Sequence, residues 1–167
     1  HLEALRESGF NRLSFGVQDM DPAVQQAVNR IQSAALIQQV LDWSRELGFS
    51  SINLDLIVGL PKQTVASFSR PLEQVVAWAP DRLAVFSYAH VPWLKKHQNL
   101  IQEADLPDSA MRLGLHQAVN EALGAAGYVN IGFDHFARPE DELVRAQRNK
   151  TLWRNFQGYT THKDSDI

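Results

Sequence analysis

Polar side chains sit at or near the carboxyl ends of three apolar segments, residues 12–19, 51–63 and 82–90. In the second segment, alternation with a period of two places Asn53 and Asp55 on one strand face with Ile57. A parallel sheet is covered on both faces, so a mid-strand carboxylate is costly unless it is paired, solvated or bound to a ligand. Two interpretations of Asp55 are open from the strand alone: a structural carboxylate bonded to nearby backbone amides, or a ligand contact.

The stretches between these segments have helical spacing, which predicts an α/β fold with a parallel sheet and right-handed crossovers. No Gly-rich phosphate loop follows any strand, which favours a barrel-type sheet over a doubly wound one. Chemistry in barrel-type sheets lies at the carboxyl ends of strands, so we expect Gln18, Asp55 and His90 to line one rim.

Caps and spacing predict helices near residues 2–8, 22–29, 34–47, 65–79 and 108–126, and a fourth strand at 128–133. In the helix at 34–47, the predicted buried stripe consists of four apolar residues, Leu36, Val40, Trp43 and Leu47. Pro71 lies inside the helix that Thr64 caps, so we expect a kink there or a late start of the helix.

Composition limits the function classes. The chain has 167 residues, a formal net charge of -3 and no apolar run long enough to span a bilayer. We therefore expect a cytoplasmic globular unit that binds neither nucleic acid nor membrane. It has no cysteine, hence no thiolate for zinc or an iron–sulfur cluster, and its six histidines lack the close helical spacing of a zinc site. The absence of an initial Met predicts that the sequence is excerpted from a longer protein.

Six segments carry a family resemblance: GVQD at 16–19, VNR at 28–30, NLDLIVGLPKQT at 53–64, SYAH at 87–90, DHFARP at 134–139 and RNFQGYTT at 154–161. In order and spacing they resemble the oxygen-independent coproporphyrinogen III oxidases of the radical S-adenosylmethionine superfamily. The resemblance implies one incomplete domain, with strands and helices of a partial (β/α) barrel over 1–92 and the following helix, strand and start of the C-terminal region over 93–167.

The family oxidatively decarboxylates two propionates of coproporphyrinogen III to give protoporphyrinogen IX, in porphyrin and haem biosynthesis. It uses two S-adenosylmethionine molecules and a 4Fe–4S cluster, which an electron donor protein reduces. The resemblance implies S-adenosylmethionine contacts at Gln18, Arg30, Asp55 and Ala89, and a second S-adenosylmethionine near Phe156 and Gln157. Candidate substrate contacts are His90, Arg138 and Arg154. No catalytic residue and no metal ligand is predicted within the chain.

The family's three cluster cysteines, its Gly-rich ligand-binding strand and a strand-end glutamate have no counterpart here. We therefore expect the chain to be inactive by itself and to self-associate through the unpaired edge of its first strand. Two alternatives are a relative of the haem chaperones, which segments 134–139 and 155–161 disfavour, and a non-catalytic remnant that binds a ligand or partner. Taken without the motifs, Arg30 is a solvated arginine, Lys95 and Lys96 form a solvated face, and His135 satisfies local backbone groups.

Overall fold

The computed structural model describes residues 1–155 and 158–163. Its strands are β1 (Arg12–Gln18), β2 (Ser51–Val58), β3 (Arg82–Ser87), β4 (Val129–Gly132), β5 (His135–Ala137), β6 (Trp153–Asn155) and β7 (Gly158–Thr160). Its α-helices are α1 (Leu2–Glu7), α2 (Pro22–Ala27), α3 (Ala34–Glu46), α4 (Val65–Ala77), α5 (Ser109–Ala125) and α6 (Glu142–Arg148). Two short 3-10 helices, Lys96–Leu100 and Glu103–Asp105, lie between β3 and α5.

A five-stranded sheet in the order β1-β2-β3-β5-β4 organises the fold, and β6 and β7 form a separate hairpin. The first three strands are parallel, as predicted from their alternation with helices. The short strand β5 was not anticipated, and it pairs antiparallel with both β3 and β4. The chain can reverse between β4 and β5 because Gly132 and Phe133 both have positive φ, 146° and 44°.

Local capping chemistry sets the helix starts. Asp21 caps α2: its carboxylate accepts hydrogen bonds from the backbone N–H groups of residues 23 and 24, and Pro22 occupies the first helical position. Asp108 caps α5 by accepting from the backbone N–H of Met111. Thr64 and Ser67 form a reciprocal capping box, so α4 begins at Val65. Of the two outcomes expected at Pro71, a kink or a late start of the helix, the late start is wrong, because Pro71 is buried inside a helix that begins at Val65 and runs on to Ala77.

Helices cover one face of the sheet. Ile52, Leu54, Leu56 and Val58 point to that face, and each is at most 2% exposed. In α3 the predicted buried stripe is wrong. The helix buries Ile37, Leu41 and Ser44 instead, and Leu36 and Trp43 are 52% and 47% exposed. A second apolar row, one position away, packs against the sheet. The opposite side of the sheet, here called the open face, carries the polar strand residues.

Candidate functional site

One row of residues crosses the open face from edge to edge at a single level. Backbone pairing places Gly16 beside Asp55, Asp55 beside Ala84, Ala84 beside His135 and His135 beside Gly132. Neighbouring strands lie about 4.8 Å apart, so Asp55 and His135 are separated by about 9.6 Å of sheet with only a methyl side chain between them. This transverse row brings one carboxylate and one imidazole to the same surface.

Asp55 is half-buried and has side-chain partners rather than the backbone partners of a purely structural carboxylate. Its carboxylate accepts from the Asn53 amide at 2.6 Å and from the Ser14 hydroxyl at 3.2 Å. The Asn53 amide also donates to the Ser14 hydroxyl at 2.9 Å. All three residues lie on the open face, so the small network orients Asp55 from the amino-terminal side and leaves it facing away from the helices.

Gln18, at the end of β1, combines two features that mark a functional position. Its backbone is left-handed, with φ 66°, at an irregularity in the β1–β2 pairing. Its Oε1 is buried without a hydrogen-bond partner among the described residues. An unpaired buried acceptor and a left-handed non-glycine residue each cost free energy, and such costs concentrate at ligand sites.

Gly16 makes room for this arrangement. A Cβ at position 16 would lie 2.5 Å from the Gln18 amide nitrogen and 3.2 Å from the Arg30 guanidinium. Arg30 is exposed and donates to the Gly16 carbonyl at 2.9 Å. The segment after β1 thus returns an arginine to the sheet edge beside Gln18. Gly16, which both side chains approach, is the register partner of Asp55.

Three buried glutamines shape the loops that follow the three parallel strands. After β1, the Gln25 amide donates to the carbonyls of Asp19 and Gln32 at 2.9 Å and 3.0 Å and accepts from the Gln32 backbone at 3.1 Å. After β3, Gln98 donates to the Ala89 carbonyl at 3.0 Å and accepts from the Val91 backbone at 2.6 Å. The backbone of Ala89 is therefore fixed by an interaction that the strand pattern did not reveal.

Gln63 satisfies backbone groups of the loop after β2 and also links the ends of β1 and β2. Its Oε1 accepts from the backbone N–H groups of Gly59 and Leu60 at 2.6 Å and 3.3 Å. Its Nε2 donates to the Ile57 carbonyl at 3.0 Å and to the Asp19 carboxylate at 2.6 Å. Burial raises the pKa of Asp19, and the hydrogen bonds from Asp21 and Gln63 oppose that rise. This pair holds the residue next to Gln18 against the end of β2.

A cleft of about 500 Å³ opens at the carboxyl ends of the parallel strands. Gln18, Arg30 and Tyr88 line it, so the structure brings together two of the four predicted S-adenosylmethionine contacts there. The Tyr88 hydroxyl lies 3.3 Å from His90 Nδ1, and burial raises the pKa of Tyr88. Ala89 follows Tyr88 directly, and Asp55 lies two residues before Ile57, which also lines the cleft.

His135 lies at the far end of the transverse row in an aromatic cluster. Its ring meets Phe86 edge-on at 5.9 Å and Tyr159 at 5.3 Å, measured between ring centroids. Burial lowers the pKa of His135. Arg154 and Arg82 lower it too, whereas Asp134 and Asp55 oppose the shift. Its Nδ1 is buried without a partner within the described part of the chain, so the expectation that His135 satisfies backbone groups is wrong.

The other predicted substrate contacts are separated. Arg154 lies beside His135, with its guanidinium 4.9 Å from the Phe133 ring and 5.8 Å from the Tyr159 ring. Arg138 lies at the amino end of β3, where it donates to the carbonyls of Ala79 and Pro80 at 3.1 Å each. That position favours a structural role for Arg138. The predicted contacts at 156 and 157 lie outside the described residues.

Among residues 1–155 and 158–163, no group of histidine and acidic side chains could hold a metal ion, and no helix is long and apolar enough to cross a membrane. The sequence has no cysteine. None of its residues therefore fits a thiolate-bound 4Fe–4S cluster. The polar side chains do fit a polar organic ligand: the unpaired amide oxygen of Gln18 and the guanidinium of Arg30 lie at the end of β1, and the carboxylate of Asp55 lies on the neighbouring strand β2.

Comparison with known proteins agrees with the motifs. Residues 1–74 match the family model of the Radical SAM superfamily. The chain is 52% identical to an oxygen-independent coproporphyrinogen III oxidase from Synechocystis over 167 residues, 100% of this chain and 36% of that protein. It is 53% identical to the Pseudomonas aeruginosa oxidase of the same name over 163 residues, 98% of this chain and 35% of that protein.

A solved structure, coproporphyrinogen III oxidase from Escherichia coli, a radical SAM enzyme, superposes with a TM-score of 0.96 at 52% identity, covering 99% of this chain and 38% of that one. The resemblance to these oxidases and the α/β fold of a partial radical SAM barrel are thereby confirmed. The chain spans about a third of the length of the curated relatives that it matches.

Proposed function

We propose that this chain, a relative of the oxygen-independent coproporphyrinogen III oxidases in the radical SAM superfamily, supplies the S-adenosylmethionine-binding end of such an enzyme. The observation that carries the proposal is Gln18, whose buried Oε1 lacks a partner among the described residues and whose backbone is held left-handed beside Arg30. A ligand that donates a hydrogen bond to this oxygen would satisfy the buried acceptor.

Each residue would have a distinct part. S-adenosylmethionine, when bound and reduced, supplies a carbon radical that abstracts hydrogen from substrate. Arg30 would pair with its carboxylate, because a guanidinium is the best-matched partner of a planar anion. Gln18 and Asp55 would accept from its ammonium and hydroxyl groups. The Gln63–Asp19 and Gln25 networks would hold the strand end on which Gln18 sits.

Calorimetric titration of the chain with S-adenosylmethionine tests this directly. Asp55→Ala and Gln18→Ala should each weaken binding by about tenfold or more, since each removes a hydrogen bond to a charged or polar ligand group. Asp42→Ala and Gln39→Ala are matched controls on the exposed surface of α3, and neither should affect binding. Thermal unfolding of each variant separates lost affinity from lost stability.

The result that would contradict the proposal is specific. An Asp55→Ala chain that loses stability and affinity in equal measure would assign Asp55 a structural role. Wild-type chain that fails to bind S-adenosylmethionine would remove the proposal as a whole. We further propose that the complete protein oxidatively decarboxylates coproporphyrinogen III with electrons from a donor protein. Its cluster ligands are absent from this chain.

A further inference from the structure

The aromatic cluster around His135 contains hydrogen-bond donors that no described carboxylate engages. Gly132 and Gly158, both with φ 146°, allow the β6–β7 hairpin to pack closely here. A Cβ on Gly132 would meet the Tyr159 hydroxyl, and a Cβ on Gly158 would lie 3.3 Å from His135 Nε2. Each hairpin thus presents a glycine to a ring of the other, and the His135 and Tyr159 rings are held by backbone on both sides.

The burial of His135 fixes which nitrogen can act. Nδ1 is buried and unpaired, and a bare lone pair there is less costly than a buried N–H without an acceptor. The neutral tautomer therefore carries its proton on Nε2. That nitrogen faces Gly158. His135 thus presents one N–H donor toward the β6–β7 hairpin without carrying a charge.

Arg154 adds a cation to the same surface. Other arginines around the sheet are already engaged: Arg82 pairs with Asp141 at 2.8 Å and with Glu142 at 3.2 Å, and Arg12 pairs with Glu142 at 2.6 Å. Within the described chain Arg154 forms no such pair. The Phe133 and Tyr159 rings hold its guanidinium, so it is preorganised at little further entropic cost.

We propose that His135, Arg154 and Tyr159 form a carboxylate-binding subsite at the opposite end of the transverse row from Gln18 and Arg30. The inference rests on the proposed function and assigns His135 and Tyr159 to substrate contact. A planar carboxylate suits this set, since the guanidinium supplies paired donors and the imidazole N–H and phenol O–H supply single ones. At the Asp55 end of the row the side chain accepts hydrogen bonds, whereas at the His135 end the side chains donate hydrogen bonds to an anion.

Fluorescence titration with coproporphyrin III tests the subsite, because this stable porphyrin carries four carboxylates and its tetramethyl ester carries none. The wild-type chain should bind the acid more tightly than the ester. His135→Phe keeps an aromatic ring and Arg154→Met keeps a long, flexible side chain. Each should weaken binding of the acid by about tenfold or more. Ester binding should be unchanged. The exposed residues give matched controls in His162→Phe and Arg148→Met.

Equal affinity of wild type and Arg154→Met for the acid would overturn the inference, as would a wild-type chain that binds no coproporphyrin. Arg154 is exposed, so that variant remains informative if His135→Phe does not fold. S-adenosylmethionine titrations on the same samples separate the two proposals. Normal S-adenosylmethionine binding with no carboxylate discrimination would defeat the subsite alone, whereas absence of S-adenosylmethionine binding would defeat the proposed function.

Discussion

Replacing Gln63 with leucine should be among the most damaging single changes to the cleft. The Gln63 side chain is 2% exposed, and leucine has nearly the same volume but no polar atom. The change removes the hydrogen bond to the buried Asp19 carboxylate, worth about 1.5–3 kcal/mol. It also leaves the backbone N–H of Gly59 without an acceptor, at a further cost of about 1–3 kcal/mol. Added apolar burial returns about 1 kcal/mol. We expect the free energy of unfolding to fall by about 1.5–5 kcal/mol in total.

Urea unfolding followed by far-ultraviolet circular dichroism measures this loss. With a slope of about 2 kcal/mol per molar urea, the unfolding midpoint should fall by about 0.8–2.5 M. Gln74→Leu is the matched control, because Gln74 is exposed on α4 and its replacement should be nearly neutral. If the two variants unfold at the same midpoint, the amide network does not support the strand ends and the reasoning fails.

Gln63→Glu gives the same network an electrostatic test. It places a second carboxyl group against Asp19, whose pKa burial already raises. Two adjacent carboxylates cannot both ionise cheaply, but a protonated one can donate to the other. This variant should therefore be less destabilised near pH 4 than near pH 8, whereas the deficit of Gln63→Leu should vary less with pH.

Four further outcomes are expected. Pro71→Ala restores a backbone donor inside α4 and should stabilise the chain by about 1–2 kcal/mol in thermal unfolding, whereas Pro22→Ala, at the favourable first position of α2, should not. The folded pKa of His135 lies below the unfolded value of 6.5, so the unfolded chain binds more protons and stability should fall as pH drops below about 6.5; His135→Phe should flatten that fall in pH-dependent melts. Reconstitution with iron and sulfide should give no stoichiometric cluster absorption, because the chain has no cysteine. Among the described strands β1 pairs only with β2, so light scattering should detect self-association that Leu13→Lys reduces and Leu113→Lys does not.

The sequence predicted most of the elements whose signals are local. Helices α2, α4 and α5 begin where their capping residues indicate, and β2 follows its alternation of buried and half-buried residues. The buried side of α3 was not predictable in this way. That helix has two apolar rows one position apart, and only the sheet beneath it decides that Ile37 and Leu41, rather than Leu36 and Val40, are enclosed.

Features that depend on distant pairing were missed. Strand β5 has three residues, too few for a periodic signal, and it exists because β3 offers an edge on which it can pair. The transverse row likewise joins Gly16, Asp55, Ala84 and the hairpin that holds Gly132 and His135, which are far apart in sequence and meet only through register. Asp55 could be singled out from its strand, but its alignment with His135 required the sheet.

The glutamines explain how polar ligand contacts can stand at the ends of buried strands. A loop leaving a parallel sheet exposes backbone donors and acceptors in places that water reaches poorly, and each must find a partner. A neutral amide provides a donor and an acceptor together without the desolvation cost of a charge. Gln25, Gln63 and Gln98 serve the loops after β1, β2 and β3 in this way. These amides satisfy the loop backbone beside the strand ends, next to which Gln18 and Arg30 line the cleft and Asp55 lies on the open face.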